Sequence, residues 1–308
     1  MSLKIEFTPY PLGHEIKDID VRNLDDRDFD ELQAIYDRYG VIVIRGQSLD
    51  PQEQIAFSKR FGPLERFVWE EYNMRDFPEI FVLSNIVEDG KPLGLDNGGR
   101  YWHSDMWITE QPPRGSMLCA IEVPHADDGK PLGSTWFAST ADAYDTLPDE
   151  LKNKIENLSA VFSSKAFSDF VGYNKPADDQ DVHAANLAKA QAQTKDVLIT
   201  HKMVRHHPRT GRKCLYVVEG AITHIVGLDP QESRALLDTL MNHVIRAGVV
   251  YHHNWQVGDI VMWDNYSAVH CAIGDFQWPQ RRLMHRTTLS SSAARAQEAT
   301  PSTSSGTM

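Results

Sequence analysis

This 308-residue chain has few basic side chains, few cysteines and no long apolar run. Its 31 Lys and Arg against 43 Asp and Glu give a formal net charge of −12. That balance argues against nucleic-acid binding through the overall electric field, because such binding needs a basic face. No apolar stretch approaches the roughly 18 residues of a membrane span, so we expect no membrane segment.

The three cysteines, Cys119, Cys214 and Cys271, are odd in number and far apart in the sequence. This spacing favours reduced thiols over a disulfide framework or a thiolate metal site. The first residues also lack the apolar core of a signal peptide. We therefore expect a cytoplasmic protein, and the sequence leaves a homo-oligomer open.

The glycine-rich stretch from Gly94 to Gly99 lacks two features of a phosphate-binding loop. It has no Gly-Lys-Ser/Thr ending and no strand-to-helix context, so nucleotide binding is not expected. We expect instead a loop that borders a site around the neighbouring His103.

Apolar periodicity predicts helices and strands in a mixed order along the chain. The predicted helices are residues 24–39, 51–61, 140–158, 183–192 and 230–245. The predicted strands are residues 41–44, 80–83, 116–123, 133–137, 198–204, 214–218, 260–263 and 283–289. Many strands with helical insertions, but without regular βαβ alternation, favour a mostly β fold of the barrel or jelly-roll type. We expect one domain over residues 1–290 and a disordered tail over residues 291–308, which is rich in Ser, Ala and Thr.

His103 and Asp105 are two residues apart, so on a strand both side chains would leave the same face and reach one ion. A third ligand is needed. The pairs His206–His207 and His252–His253 would point to opposite faces of a strand, which makes them poor metal ligands. His270, which follows a strongly apolar strand, is the better candidate.

Two histidines and one carboxylate occupy three positions of an octahedral ion and leave three open. Such a set suits redox iron that must bind a chelating cosubstrate and oxygen. A zinc hydrolase or lyase, with bound water as the nucleophile, would use the same three ligands and stays an alternative. A non-catalytic sensor on the same scaffold is a further alternative, but we would expect it to have lost a ligand.

Arg282 and Arg286 are four residues apart, so on a strand they share one face at a separation of about 13 Å along the backbone. Two guanidinium groups on one buried face require anions opposite them. Whether Arg281 or Arg282 takes the inner position depends on strand register, because a one-residue slip turns every side chain to the other face.

Four stretches of the chain resemble the taurine dioxygenase and 2,4-dichlorophenoxyacetate dioxygenase family of iron(II)- and 2-oxoglutarate-dependent enzymes. They are Trp102–Asp105, Gly133–Thr135, Trp263–Asn265 with His270, and Gln280–Arg286. The resemblance covers most of residues 3 to 290 and implies a double-stranded β-helix, a jelly roll of the cupin type.

At the matching positions the resemblance implies Fe(II) on His103, Asp105 and His270. It further implies that Thr135 and Arg282 hold the distal carboxylate of 2-oxoglutarate and that Arg286 faces the anionic end of the substrate. The implied reaction consumes O2, releases succinate and CO2 and hydroxylates a substrate carbon. Where that carbon bears oxygen, sulfur or nitrogen, the product would break apart at the heteroatom.

The substrate positions depart from those of the taurine enzyme. After its Phe-Gly-x-Leu turn that enzyme has a His and a Tyr, where this chain has Phe67 and Glu70, so we expect a substrate other than taurine. We expect Phe67, Met106 and Tyr216 to border the substrate together with Arg286. The predicted substrate is a small carboxylate or sulfonate with an apolar portion.

Overall fold

A computed structural model of the protein describes residues 3–67, 70–96, 98–173 and 196–294. Strands dominate these ranges, and helices are inserted between them. The strands are β1 (Lys4–Glu6), β2 (His14–Lys17), β3 (Val41–Ile44), β4 (Leu64–Glu65), β5 (Asn73–Met74), β6 (Phe77–Ser84), β7 (Val87–Glu88), β8 (Lys91–Pro92), β9 (Gly115–Glu122), β10 (Thr135–Ser139), β11 (Ser159–Ser163), β12 (Leu198–Lys202), β13 (Val204–His206), β14 (Lys213–Leu215), β15 (Ile222–Ile225), β16 (Tyr251–His253), β17 (Ile260–Asp264), β18 (Ala268–Ala272) and β19 (Leu283–Leu289).

The helices flank the sheets and are mostly short. They are α1 (Asp26–Tyr39), α2 (Pro51–Arg60), α3 (Thr140–Asp145), α4 (Asp149–Ile155), α5 (Ser164–Tyr173) and α6 (Pro230–Val244). Helix α1 is capped at its N-terminus by Asp25, whose side chain accepts the Asp28 backbone N–H, and at its C-terminus by Gly40, which has a left-handed φ of 71°. Helix α2 begins with a capping box between Asp50 and Glu53.

Two sheets face each other across the centre of the molecule. The larger sheet has the order β1-β2-β3-β17-β9-β19-β6-β5, with β4 paired to β19, and its pairs are antiparallel except β2 with β3. The smaller sheet has the order β16-β10-β18. Apolar side chains of both sheets, among them Val261 from β17 and Phe137 from β10, form one buried cluster between them. This is the sandwich arrangement of a jelly roll.

The central strands of the larger sheet are buried on both faces. In β3, Val41 and Val43 point into the cluster between the sheets, whereas Ile42 and Ile44 pack against the side of α1 and α2. A strand covered on both faces has a continuous apolar sequence rather than an alternating one. The run Val41–Ile44 therefore predicted this strand correctly.

Several predicted elements differ from the structure at their boundaries. The helix predicted over residues 140–158 is two helices, α3 and α4, because Pro148 cannot continue a helix and instead precedes the start of α4. The strand predicted over residues 214–218 ends at Leu215, and that predicted over residues 198–204 divides between β12 and β13. The helix predicted over residues 183–192 lies outside the described residues.

Two further observations concern the ends of the predicted domain and the membrane. Ser291–Ala294 forms a short 3-10 helix, and the rest of the predicted tail, residues 295–308, lies outside the described residues. Among the residues that the structure describes, no helix combines the length and the apolar character needed to cross a bilayer.

Candidate metal centre and active site

Three predicted ligands, His103, Asp105 and His270, converge at one buried point between the two sheets. Their exposed fractions are 7%, 5% and 6%. His103 Nε2 lies 4.0 Å and His270 Nε2 lies 3.9 Å from Asp105 Oδ1. One ligand atom from each residue falls within 4.8 Å of the others, and no other such group is found in the described part of the chain. The separation suits three ligands around one ion.

The backbone brings the first and last ligands together directly. His103 N–H donates to His270 C=O at 3.0 Å, and His270 N–H donates to His103 C=O at 2.8 Å. His103 thus forms an isolated antiparallel bridge with β18, and the chain turns immediately afterwards at Asp105. Met106 has a positive φ of 52°, which L-residues rarely adopt and which helps to reverse the chain.

The expectation that His103 and Asp105 lie on one strand was therefore wrong. A turn, rather than the alternation of a strand, directs both side chains to the same point. The second ligand is held from its backbone as well, because Asp105 N–H donates to Asn265 Oδ1 at 3.0 Å.

Three strands of the larger sheet supply donors to the Asp105 carboxylate. Ser116 Oγ, from β9, donates to Oδ2 at 2.7 Å, and Trp263 Nε1, from β17, donates to the same oxygen at 3.1 Å. Arg286 Nη1, from β19, donates to Oδ1 at 3.0 Å. Burial alone would raise the pKa of Asp105, but the Arg286 guanidinium and the hydrogen bond from Ser116 hold it well below its usual range. The carboxylate is ionised and fixed in orientation.

Both imidazoles are in the neutral form that binds metals. Burial lowers the pKa of His103, and burial lowers the pKa of His270 to about 3. His103 Nδ1 lies 2.8 Å from Tyr101 C=O. A carbonyl can only accept, so Nδ1 carries the proton and the Nε2 lone pair faces the other ligands.

Arg286 lies beside this centre and is covered by aromatic rings. The side chain is 8% exposed, and its Cζ lies 4.9 Å from the Phe67 ring centroid and 5.0 Å from that of Phe81. Phe67 was predicted from the sequence to border the substrate, and the structure places it against Arg286. Phe81 was not predicted. The arrangement offers one cationic group in an apolar surround.

Arg281 and Arg282, which directly precede β19, have different partners. Arg281 forms a bidentate salt bridge with Glu122 at 2.8 and 3.0 Å, and both of these side chains are partly exposed. The backbone of Arg282 is clamped on the β6 side, where its N–H donates to Asn85 Oδ1 and its C=O accepts from Ser84 Oγ. Arg282 Nε is buried and has no partner within the described residues.

Thr135 begins β10 and is 3% exposed. Its register partner on β18 is Ala272, two residues beyond the ligand His270. Trp255 Nε1 donates to Thr135 Oγ1 at 3.0 Å, which orients the hydroxyl. Thr135 and His270 are thus presented by the same small sheet.

Two predicted substrate residues occupy different surroundings. Met106 directly follows Asp105 and is partly exposed. Tyr216 is 2% exposed, and its ring packs against Phe162 and under the Arg205 guanidinium, at 4.0 Å from the ring centroid. These contacts of Tyr216 are with the apolar core, and its role toward a substrate stays a prediction.

The adjacent histidine pairs have structural roles. His207 Nε2 lies 3.2 Å from Asp264 Oδ2, and His253 Nε2 lies 3.0 Å from Asp259 Oδ2. Each pair thus has one member in a buried carboxylate contact. That these pairs are poor metal ligands stays a prediction.

Sequence reasoning missed four residues that contact the metal ligands or Arg286. Strand register or backbone geometry brings them to the site; they are Ser116, Asn265, Tyr101 and Phe81. Asn265 was part of the matched motif beside Trp263 but had no assigned role. Nothing in the sequence around Ser116 distinguishes it from other strand serines.

The chain is similar to known dioxygenases over most of its length. Residues 6–288 match the family described as Taurine catabolism dioxygenase TauD, TfdA family. An alpha-ketoglutarate-dependent 2,4-dichlorophenoxyacetate dioxygenase of Cupriavidus pinatubonensis is 33% identical over 83% of this chain and 86% of that protein. An (S)-phenoxypropionate/alpha-ketoglutarate-dioxygenase of Sphingobium herbicidovorans is 32% identical over 88% of this chain and 89% of that protein.

A solved structure has the same fold. The crystal structure of AAD-2 in complex with Mn(II) and N-oxalylglycine superposes with a TM-score of 0.74 at 29% identity, and it covers 93% of this chain and 98% of that one. The double-stranded β-helix predicted from the sequence is confirmed by this likeness and by the two facing sheets.

Proposed function

The chain belongs to the TauD/TfdA family of dioxygenases, and we propose that its buried His103–Asp105–His270 centre oxidises a small organic anion held by Arg286. The protein is an iron(II)- and 2-oxoglutarate-dependent dioxygenase that consumes O2. The observation that carries the proposal is the position of Arg286, which reaches the ligand carboxylate and is flanked by two aromatic rings.

The residues of the centre fit iron. Three buried ligand atoms converge, the imidazoles are neutral, and the carboxylate is ionised. Iron(II) on these ligands would keep three of about six positions open and would supply the activation of oxygen, which protein side chains do not provide. Ser116 and Trp263 orient the carboxylate, and the Tyr101 carbonyl orients the His103 ring.

We assign the distal carboxylate of 2-oxoglutarate to Thr135 and Arg282. Arg281 is committed to Glu122 at the surface, which leaves Arg282 as the arginine that faces inward. A hydroxyl held by Trp255 and a guanidinium whose Nε is buried and has no partner within the described residues are a matched pair for one carboxylate. This assignment selects Arg282 over Arg281, the choice that strand register left open.

We assign the anionic end of the primary substrate to Arg286. Phe67 and Phe81 line its guanidinium, so an apolar or aromatic portion would lie beside the charge. Two relatives are named for phenoxyacetate and phenoxypropionate oxidation, which supports a carboxylate joined to an apolar body. We assign Met106 to the same space because it directly follows Asp105 and is partly exposed. For such substrates, hydroxylation at a carbon that bears oxygen would release the heteroatom group.

The test is oxygen-dependent release of succinate by purified protein with iron(II), ascorbate and 2-oxoglutarate across a panel of aryloxy, alkyl and sulfonate acids. We expect turnover with at least one apolar acid and weak turnover with taurine. Arg286→Gln should raise KM for the acid more than KM for 2-oxoglutarate, and Thr135→Val should do the reverse. Absence of both coupled and uncoupled succinate release would contradict the proposal.

The zinc hydrolase or lyase considered from the sequence lacks support. It would work without oxygen or a keto acid, whereas the relatives are named for their use of alpha-ketoglutarate. It would also leave Thr135 and the two inward-facing arginines without a purpose.

We propose the cytoplasm as the location, as expected from the cysteine pattern. The three cysteines are all free and buried, which is compatible with a reducing compartment. A homo-oligomer stays a prediction that size-exclusion chromatography with light scattering would test.

A further inference from the structure

The segment that carries the first ligand lies along one edge of the smaller sheet. That sheet has the order β16-β10-β18, so β18 is an edge strand among the described residues. Ala272 N–H donates to Gly99 C=O at 2.8 Å, and His103 and His270 exchange both of their backbone hydrogen bonds. Residues 99–103 therefore run beside β18 and extend the sheet by one outer segment.

Trp102 directs its backbone groups away from β18. Neighbouring residues of an antiparallel pair turn their N–H and C=O groups to opposite sides, and His103 uses the side that faces β18. Trp102 is 8% exposed, and buried backbone groups without partners are costly. The outer side of the ligand segment therefore needs partners of its own.

Glu219 supplies both partners. Its backbone N–H donates to Trp102 C=O at 2.9 Å, and Trp102 N–H donates to Glu219 Oε2, also at 2.9 Å. One residue thus pairs with Trp102 as a residue of a neighbouring strand would, except that a carboxylate replaces the carbonyl. A charged acceptor forms a stronger hydrogen bond than a neutral one does.

The loop around Glu219 is itself fixed. Gly220, which follows it, has a left-handed φ of 71°, and a Cβ there would lie 2.2 Å from the Phe170 ring. The next residue, Ala221, accepts the Ser163 N–H at its C=O at 2.9 Å. Glu219 is therefore a fixed point to which the ligand segment is attached.

A single peptide group connects Glu219 to the ring of the metal ligand. The peptide between Tyr101 and Trp102 is planar and carries both the Tyr101 C=O and the Trp102 N–H. This C=O accepts the His103 Nδ1–H at 2.8 Å, and this N–H donates to the Glu219 carboxylate. Hydrogen bonds in series polarise one another, so an N–H bonded to an anion makes the carbonyl of its peptide a better acceptor. The carboxylate thus strengthens the bond that orients the imidazole.

We propose that Glu219 is a positioning residue for His103, and that it acts through the peptide group of Tyr101 and Trp102 on the orientation and basicity of the imidazole. A carboxylate bonded directly to a metal-binding histidine has this effect in metal sites, and here one peptide group lies between the two. The inference rests on the proposed role of His103 as a metal ligand. Glu219 lies outside the four stretches that carry the family resemblance.

The experiment measures iron(II) affinity by anaerobic competition with a chromophoric chelator, and then the visible charge-transfer band of the iron(II) chelate with 2-oxoglutarate. Glu219→Ala removes the acceptor and should weaken iron(II) binding about tenfold, the lower end of the usual effect when an outer partner is lost. Glu219→Gln keeps a neutral acceptor and should recover most of this affinity. In both variants the band should move to shorter wavelength, because a less basic imidazole leaves the metal poorer in electrons.

Glu65→Ala is the matched control. The Glu65 carboxylate, on β4, also accepts a backbone N–H, that of Ser291 at 3.1 Å, but it does so at the end of β19. This variant should change neither the iron(II) affinity nor the band. Thermal unfolding of the metal-free proteins, measured in parallel, reports general loss of stability. If Glu219→Ala does not fold, the band of Glu219→Gln still tests the inference.

Iron(II) affinity of Glu219→Ala within about twofold of wild type would overturn the inference. A Glu219→Gln variant that binds iron(II) no better than Glu219→Ala, or whose band stays at the wild-type wavelength, would overturn it as well. If wild type bound no iron(II) or gave no band with 2-oxoglutarate, the proposed function itself would fail. That outcome is distinct from a normal wild-type band with silent Glu219 variants.

Discussion

Ser116→Ala isolates the contribution of one hydrogen bond to metal binding. Ser116 Oγ donates to Asp105 Oδ2 at 2.7 Å, and the residue is fully buried. The substitution removes one oxygen and no packing carbon. Trp263→Phe would remove the other donor to the same oxygen, but Trp263 also packs at 4.7 Å from the His270 ring, so its loss would mix two effects.

The expected loss of metal affinity follows from the two hydrogen-bond donors to Asp105 Oδ2. A hydrogen bond to a charged group contributes about 1.5–3 kcal/mol, and removal of an outer partner of a metal ligand weakens binding by about 10–100-fold. Because Trp263 still holds Oδ2 in the Ser116→Ala variant, we expect the lower end, about tenfold or about 1.4 kcal/mol. The double variant Ser116→Ala/Trp263→Phe should lose more metal affinity than the sum of the two single losses, because Asp105 Oδ2 then has neither donor.

The assay is competition for iron(II) between the protein and a chromophoric chelator under anaerobic conditions, with thermal unfolding of the metal-free protein measured in parallel. Ser58→Ala is the matched control. Ser58 is also fully buried, and its Oγ bonds to Gln54 C=O and to Thr287 Oγ1, each at 2.7 Å, on the helix-covered face of the sheet. The Ser58→Ala variant should lose stability and keep its metal affinity.

Two results would refute this reasoning. Metal affinity of Ser116→Ala within about twofold of wild type would mean that the Ser116 bond does not act on the ligand, against the usual effect of such partners. An equal loss in Ser58→Ala would mean that general destabilisation, rather than orientation of Asp105, lowers metal affinity.

Three further predictions concern glycine, histidine and cysteine. Gly99→Ala places a Cβ 2.9 Å from His103 Cε1, so metal affinity should fall about tenfold, as it does when an outer partner of a metal ligand is lost. Gly46 also has a left-handed φ but has open space around it, so Gly46→Ala is the control and should keep its metal affinity. Equal affinities of the two variants in the chelator assay would contradict this prediction. Burial lowers the pKa of His253, so the neutral form adds stability that is complete above the unfolded value near 6.5 and is lost as pH falls below it. The midpoint of urea unfolding should therefore fall less in His253→Asn than in wild type between pH 7 and pH 5, and parallel curves would refute the assignment. Burial raises the pKa of Cys119 to about 12, and all three thiols should react with a disulfide reagent only after unfolding, so fast labelling of the native protein would contradict the structure.

Local signals in the sequence predicted much of the fold. Helix α1 was predicted from its acidic first turn and from Gly40, and α2 from Pro51, because caps act within a few residues. The prediction of one helix over residues 140–158 overlooked Pro148. The strand β18 was not predicted, because it follows β17 after only three residues and the two were not separated by pattern.

The structure brings the three predicted ligands together at one point, but the strand predicted to carry His103 and Asp105 was wrong. His103, Asp105 and His270 were identified from side-chain chemistry and from the resemblance. The turn at Asp105, however, is created by a bridge to a strand more than 160 residues later. Pairing over that distance depends on the whole sheet and is not encoded in the four residues of the motif Trp102–Asp105.

The sequence by itself determined the residue types of the centre, the pair of arginines and the mostly β architecture, because these follow from side-chain chemistry and local periodicity. Only the tertiary structure decided that Arg281 pairs with Glu122 and which donors hold Asp105. The physical reason is that strand register and sheet packing bring together residues distant in sequence, and a shift of one residue would turn each side chain to the opposite face.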